Sequence, residues 1–330
     1  MAIKVGIPRS LFYYRYFPLW KTFFEELGAE VIVSDRTSKK ILDDGVKSCV
    51  DEACLPIKLF HGHVLNLKDK VDYVFIPRYT SVSRHEYICP KFGGLPDMVR
   101  NTLSDLPKII DTEINLWKSK RNSKKAAIEI GEILGASKKE SSAAYNSAVT
   151  AYRKFREQVQ QGILPIDILE KKLTVLKKND ENTLNIAIIG HVYNLYDSYI
   201  NMNMLNKLKN NKINIITIEM MDNRIIDENV KGLKKRLFWN FGRKAVGTAL
   251  HILNRKDIDG IIYLMSFGCG IDSFICDMIE RRVKNGSNIP FMVLTLDEHS
   301  GEAGMDTRLE AFTDMIRWRL KNGNNVSALG

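Results

Sequence analysis

The sequence predicts an α/β protein, with two open parallel-sheet domains joined by a helical segment. Three observations lead to this. Ile3-Lys4-Val5-Gly6-Ile7-Pro8 and Asn185-Ile186-Ala187-Ile188-Ile189-Gly190 are short, largely apolar runs, the mark of strands buried on both faces of a parallel sheet. Each is followed by a Tyr-rich turn (Tyr13, Tyr14 and Tyr16; Tyr193, Tyr196 and Tyr199), an amphipathic helical stretch and a second strand. Each half then carries a later strand with a cysteine beyond it: residues 71–77 before Cys89, and 258–264 before Cys269. The echo is equally consistent with duplication and with convergence on common strand–helix–strand grammar.

In chain order, the first strand leads through its tyrosines to a helix from about Leu19 to Leu27, and Glu30-Val31-Ile32-Val33 forms the next strand. A helix over Ile57 to Leu67 starts behind Cys54 and Pro56, and the strand at 71–77 follows. From Asp111 to Asn182 the pattern is helical and charged, with sparse breakers (Gly131, Gly135, Gly162, Pro165) and one long run from Ser137 to Gln161. The strand at 185–189 opens the second half, followed by a helix reaching Leu208 and a strand from Ile213 to Ile218. The last strand, 291–296, runs into Asp297-Glu298-His299 and a helix from Thr307 to Lys321. The expected divisions are 1–111 (N-terminal α/β domain, with Cys54 and Cys89), 112–182 (helical link) and 183–330 (C-terminal α/β domain, with Cys269).

With 330 residues and 45% hydrophobic composition, the chain can bury two cores. Its first residues read as a strand rather than a signal peptide, and no run of about 18 apolar residues offers a membrane span. A cytoplasmic protein without membrane contact is expected. Five cysteines, an odd number, argue against a disulfide framework and leave metal binding, catalysis or inert burial. The formal charge of +10 raises nucleic acid as a partner, but lysines such as Lys171, Lys172, Lys177 and Lys178 are interleaved with acidic residues. They read as solvated surface, not a nucleic-acid groove; a basic rim around an anionic substrate lies between the two. No P-loop and no dinucleotide-binding glycine fingerprint occurs.

The chemistry-bearing residues gather at expected strand ends, where open parallel sheets collect ligands. Cys54 lies in Asp51-Glu52-Ala53-Cys54-Leu55-Pro56, Cys89 in Cys89-Pro90-Lys91-Phe92, and Cys269 in Ser266-Phe267-Gly268-Cys269-Gly270. Thiolates on glycine- and proline-rich loops near helix starts suit an iron–sulfur site. Buried loop cysteines without metal weigh equally on residue chemistry alone. Cys49 and Cys276 sit in helical settings and read as packing, with Cys49 a spare ligand in reserve. Glu298, His299 and Glu302 form a dense cluster that offers acid/base groups or turn and cap chemistry. His61 and His63 point in different directions on one helix and read as packing or supporting hydrogen bonds.

Four blocks carry a family resemblance. They are the Cys54 block with His61-Gly62-His63, Tyr87-Ile88-Cys89-Pro90-Lys91-Phe92 with Gly94-Leu95-Pro96-Asp97, the Cys269 block with Asp272-Ser273-Phe274, and Asp297 to Gly304 with Thr307 to Phe312. Together these resemble the CoA-substrate-specific enzyme-activase-related proteins of anaerobes. Those proteins are relatives of the iron–sulfur subunits of 2-hydroxyacyl-CoA dehydratases, benzoyl-CoA reductases and double-cubane-cluster reductases. The resemblance implies Rossmann-like domains and a 4Fe-4S cluster held by Cys54, Cys89 and Cys269, ahead of a double-cubane cluster, which uses more thiolates. It implies an open iron and low-potential electrons from an ATP-dependent activase with its own iron–sulfur cluster. It also implies a homo- or heterodimer with a homologous subunit, and reduction or dehydration of a small substrate such as a CoA thioester. A non-catalytic electron-transfer or cluster-carrier subunit is the alternative.

Overall fold

The computed structural model describes residues 2–172 and 183–322; the lysines at 177 and 178 and the end of the expected helical link lie outside the described residues. The first half contains β1 (Lys4–Ile7), α1 (Tyr13–Glu26), β2 (Glu30–Val33), α2 (Lys39–Lys47), α3 (Leu55–Leu67), β3 (Tyr73–Phe75), β4 (Arg78–Ser81), α4 (Pro90–Thr102), β5 (Lys108–Ile110) and β6 (Glu113–Asn115). Three helices follow: α5 (Asn122–Ile133), α6 (Lys138–Gln160) and α7 (Pro165–Leu169). The second half contains β7 (Leu184–Gly190), α8 (Val192–Tyr196), α9 (Met204–Asn210), β8 (Ile213–Thr217), a 3-10 turn at Ile218–Met220, α10 (Asn223–Val230), α11 (Asn240–Leu253), β9 (Gly260–Ser266), α12 (Gly270–Gly286), β10 (Phe291–Leu296) and α13 (Glu302–Asn322).

Both halves carry a four-stranded, all-parallel sheet with the same strand order. The first is β2-β1-β3-β5 and the second is β8-β7-β9-β10, so in each the first strand sits inside, between the second and the third. β7 is buried along nearly its whole length, and Ile186 to Gly190 pair with Gly260 to Leu264 of β9. In such a sheet the chain reverses direction of winding beside the first strand, which opens a crevice at the strand ends.

The structure adjusts several boundaries. Tyr13, Tyr14 and Tyr16 belong to the start of α1, not to a turn. Burial of Tyr13, Tyr14, Trp20, Phe23 and Phe24 along one face carries the helix through Pro18, which alone would cost about 3 kcal/mol. The strand expected at 71–77 is only β3, because Pro77 has no N–H to give the ladder; the chain then pairs as β4 with β6 in a separate two-stranded sheet. β6 therefore lies within the segment read as purely helical. α6 matches its expectation closely: Ser137 accepts from the Glu140 backbone N–H, and Glu140 accepts from the Ser137 backbone N–H, a reciprocal cap. α10 and α11 had no sequence expectation.

Candidate functional site

Three helix starts share one device. Cys54, Cys89 and Cys269 are the capping residues of α3, α4 and α12. Proline in the first turn of α3 and α4 pre-sets the helical φ without losing a ladder bond. Gly268, with φ +74°, supplies the left-handed step into Cys269, and a Cβ there would lie 3.9 Å from the Cα of Cys54. The Cys269 loop of the second half thus rests on the Cys54 loop of the first. The corresponding start of α11, the helix that leads into the third strand of the second sheet, is capped by Trp239.

The Cys89 loop is fastened to the second half as well. Tyr87 N–H donates to Phe238 O at 3.1 Å and Asn240 N–H donates to Tyr87 O at 2.9 Å. Buried Glu86 pairs with Arg243 at 2.6 Å and accepts from Asn240 Nδ2 at 2.7 Å. The three thiols are half-buried and electrostatically coupled. Burial pushes each above the ordinary thiol range, and proximity adds to it: Cys89 raises Cys54, and Cys54 and Cys89 raise Cys269. The first-turn N–H groups of Ile57, Lys91 and Asp272 work the other way, favouring thiolate.

Asp272, one turn into α12, is fully buried. It accepts from Tyr263 O–H at 3.1 Å, and His191 Nε2 lies 3.5 Å away. Burial raises its carboxyl above the carboxylate range despite His191 and Tyr263. His191, Cys269 and Asp272 have ligand atoms within 4.8 Å of one another. His191 is clamped between Tyr193 and Phe241, with ring centroids at 4.8 Å and 3.6 Å.

The other candidates have settings of their own. Glu298 pairs with buried Lys58 at 2.7 Å, one turn beyond Cys54, and Lys58 holds its carboxyl below the usual range. His299 is exposed, and exposed Glu302, in the first turn of α13, pairs with Lys207 at 2.6 Å. Cys49 follows the end of α2, and Cys276 is buried in the core between α12 and its sheet. His61 Nδ1 donates to Ile57 O at 2.8 Å; His63 bridges Ser34 Oγ at 2.9 Å and Thr37 Oγ1 at 3.0 Å. Both histidines support packing and hydrogen bonds, as the sequence suggested.

Sequence reasoning missed the charged group beside Cys89. A narrow pocket of about 40 Å³, room for a few waters or one small group, is lined by Cys89, Arg15, His191, Glu219, Trp239 and Lys244, among others. Buried Glu219 is held by Arg156 at 3.1 Å, Arg15 at 3.4 Å and Lys244 at 3.7 Å. Burial and the neighbouring Arg15 pull the Lys244 ammonium down to about 7, against the raising effect of Glu219. The only sequence signal was Arg243-Lys244 inside an otherwise apolar helical run.

Buried His63 sets an acid-side limit on stability. Burial, reinforced by Arg9, lowers its pKa to about 3, so the folded protein refuses a proton that the unfolded chain accepts below about 6.5. Stability is therefore lost as the pH falls from about 6.5 towards 3. Between pH 6.5 and 5 most carboxylates still hold their charge, so the urea midpoint should drop there, and less so in His63→Gln. Equal slopes for the two proteins over that window would refute the assignment.

Residues 190–316 match the model for 2-hydroxyglutaryl-CoA dehydratase, D-component, which relates the chain to the 2-hydroxyacyl-CoA dehydratase-like superfamily. Residues 4–221 match the family described as CoA enzyme activase uncharacterised domain (DUF2229). That match spans more than half of the chain, and the chain belongs to this family. A comparison with curated proteins finds no match.

Proposed function

We propose that the chain is the cluster-bearing component of a reductase or dehydratase. Cys54, Cys89 and Cys269 hold a 4Fe-4S cluster and leave one iron without a protein thiolate. Electrons come from an ATP-dependent activase with its own cluster, and the substrate is a small molecule, with a CoA thioester the leading class. One observation supports this reading: three cysteines from both halves each cap a helix, and Cys54 and Cys89 are near enough to Cys269 to raise its thiol. The donor set fits the group. Three sulfurs face first-turn N–H groups, and Asp272 Oδ2 and Asn194 Nδ2, beside the Cys269 loop, are buried polar atoms with no partner among the described residues.

When bound, the cluster would supply one-electron reduction and a Lewis-acidic iron. The chain's own residues supply the rest. Asp272, whose carboxyl burial shifts towards the protonated form, is the candidate proton donor beside Cys269. Arg15 and Lys244 line the narrow pocket and orient an anionic or carbonyl group near Cys89. Glu298, His299 and Glu302 remain acid/base candidates, with Glu298 first because Lys58 ties it to the helix of Cys54. Phe267 and Phe274, 67% and 66% exposed, flank Cys269 and suit the docking of an electron-donating protein or a homologous subunit.

Anaerobic reconstitution with iron and sulfide analysis and EPR tests the reading. Iron and a reducible EPR signal are expected in the wild type, lost in Cys54→Ala, Cys89→Ala and Cys269→Ala, and kept in Cys49→Ala. A colourless wild type indistinguishable from the three variants would sink it. A cluster whose signal no acyl-CoA perturbs would favour the electron-carrier alternative.

A further inference from the structure

The helices α5 and α6 flank a wide, open groove of about 850 Å³, within the size range of ligand sites. Its walls carry Lys120, Arg121, Lys124, Lys125 and Arg153, and no carboxylate. No ion pair to any of these five cations occurs among the described residues. The arrangement is not a random scatter of surface lysines. Arg121, Lys124, Lys125 and Ile128 recur at helical spacing on one face of α5, opposite Tyr145, Val149 and Arg153 at the same spacing on α6.

Three of these cations stand at the cap and first turn of α5, at the positive end of the helix, where a side chain of the opposite sign is favoured. That turn has no acidic residue and no side-chain cap. Like charges gathered at this end of the helix repel one another until an anion arrives. Polar groups complete the wall: Tyr145, whose O–H donates to Ser123 Oγ at 2.6 Å, together with Asn146 and Thr150. Five cations suit several phosphate oxygens rather than one carboxylate.

We infer that the α5–α6 cleft binds the pyrophosphate of a nucleotide, either free or as the head of a larger thioester. The site lies outside the cysteine-bearing blocks and does not require the iron reading; only the thioester source rests on the substrate class proposed above. A duplex or single-stranded RNA would need a cationic track running beyond the cleft. The lysines near it on α6, Lys138 and Lys139, stand beside Glu132 and Glu140 instead.

Calorimetry on the full chain with sodium pyrophosphate, ADP, coenzyme A and an oligoribonucleotide tests the inference. Saturable binding of ADP or coenzyme A near one per chain is expected, displaced by pyrophosphate and weakened at least tenfold in Lys124→Gln/Arg153→Gln. Tighter coenzyme A than ADP would identify the thioester source; equal affinity would identify a free nucleotide. No saturable binding, binding unchanged in the double variant, or an oligoribonucleotide bound more tightly than any nucleotide would each overturn it. Iron content of the same variant, expected unchanged, separates this result from failure of the cluster proposal.

Discussion

Glu219→Gln is expected to destabilise the protein by about 3–5 kcal/mol, a large part of a typical folding free energy. The substitution keeps the shape of the side chain and removes the single negative charge shared by Arg15, Arg156 and Lys244. Two guanidinium groups and an ammonium would then stay buried with no counter-charge. Burial pushes the Glu219 carboxyl up, but Arg15, Lys244 and Arg156 outweigh it and hold the pKa at about 2. Its contribution is therefore present above the ordinary carboxylate pKa and is lost as the pH falls from about 4.3 towards 2. Lys244 adds a second pH dependence of the same sign, at higher pH. Its folded pKa lies below that of the unfolded chain, so stability rises with pH between about 7 and 10. Urea unfolding at pH 6 checks the main effect, and adding Lys244→Met should restore part of it. A loss below 1 kcal/mol would show that the cations find other partners.

Gly62→Ala is the second large effect, and it acts on the backbone. At Gly62 a Cβ would stand 2.0 Å from Ile41 O, and at Gly45 a Cβ would stand 2.1 Å from Lys58 O. α2 and α3 therefore cross with their backbones in contact, each glycine facing a carbonyl of the other helix. Alanine in a helix interior gains about 1 kcal/mol in propensity, but no rotamer relieves a contact between Cβ and a backbone oxygen. The helices must separate, at a cost of about 3 kcal/mol or more. Because Cys54 caps α3, the shift should also displace this thiol from Cys269, and reconstituted iron should fall with stability. Gly94→Ala in α4 is the control: its Cβ would meet nothing within 4 Å, so the melting temperature should hold or rise slightly. Equal melting temperatures for Gly62→Ala and wild type would disprove the close crossing.

Much of the fold and the cysteine set was legible in the chain, for physical reasons. Strands such as β7 and β9 are buried on both faces, so their sequences are uninterrupted apolar runs. Cys54, Cys89 and Cys269 stand beside the glycine and proline that their loops require. What stayed hidden depends on distant partners. Arg243 and Lys244 are two charged letters in a segment that carried no expectation, and only Glu86, Asp227 and Glu219, brought in from elsewhere, make them interior residues. β5 and β6, three residues each, are too short to leave a period. Tyr13, Tyr14 and Tyr16, read as a turn, open α1 instead, with the rings of Tyr13 and Tyr14 buried. Asp272 was visible as a letter beside Cys269, yet its character comes from Tyr263 and His191.

The start of α11 gives the matched halves a direction. Two corresponding helices enter the third strand of each sheet, and two more leave it, so the molecule offers four equivalent caps. Three carry sulfur. The fourth carries the indole of Trp239, and that residue walls the narrow pocket beside Cys89. Under the cluster proposal, the exchanged cap gives the paired halves a front and a back, an indole standing where a fourth sulfur would be.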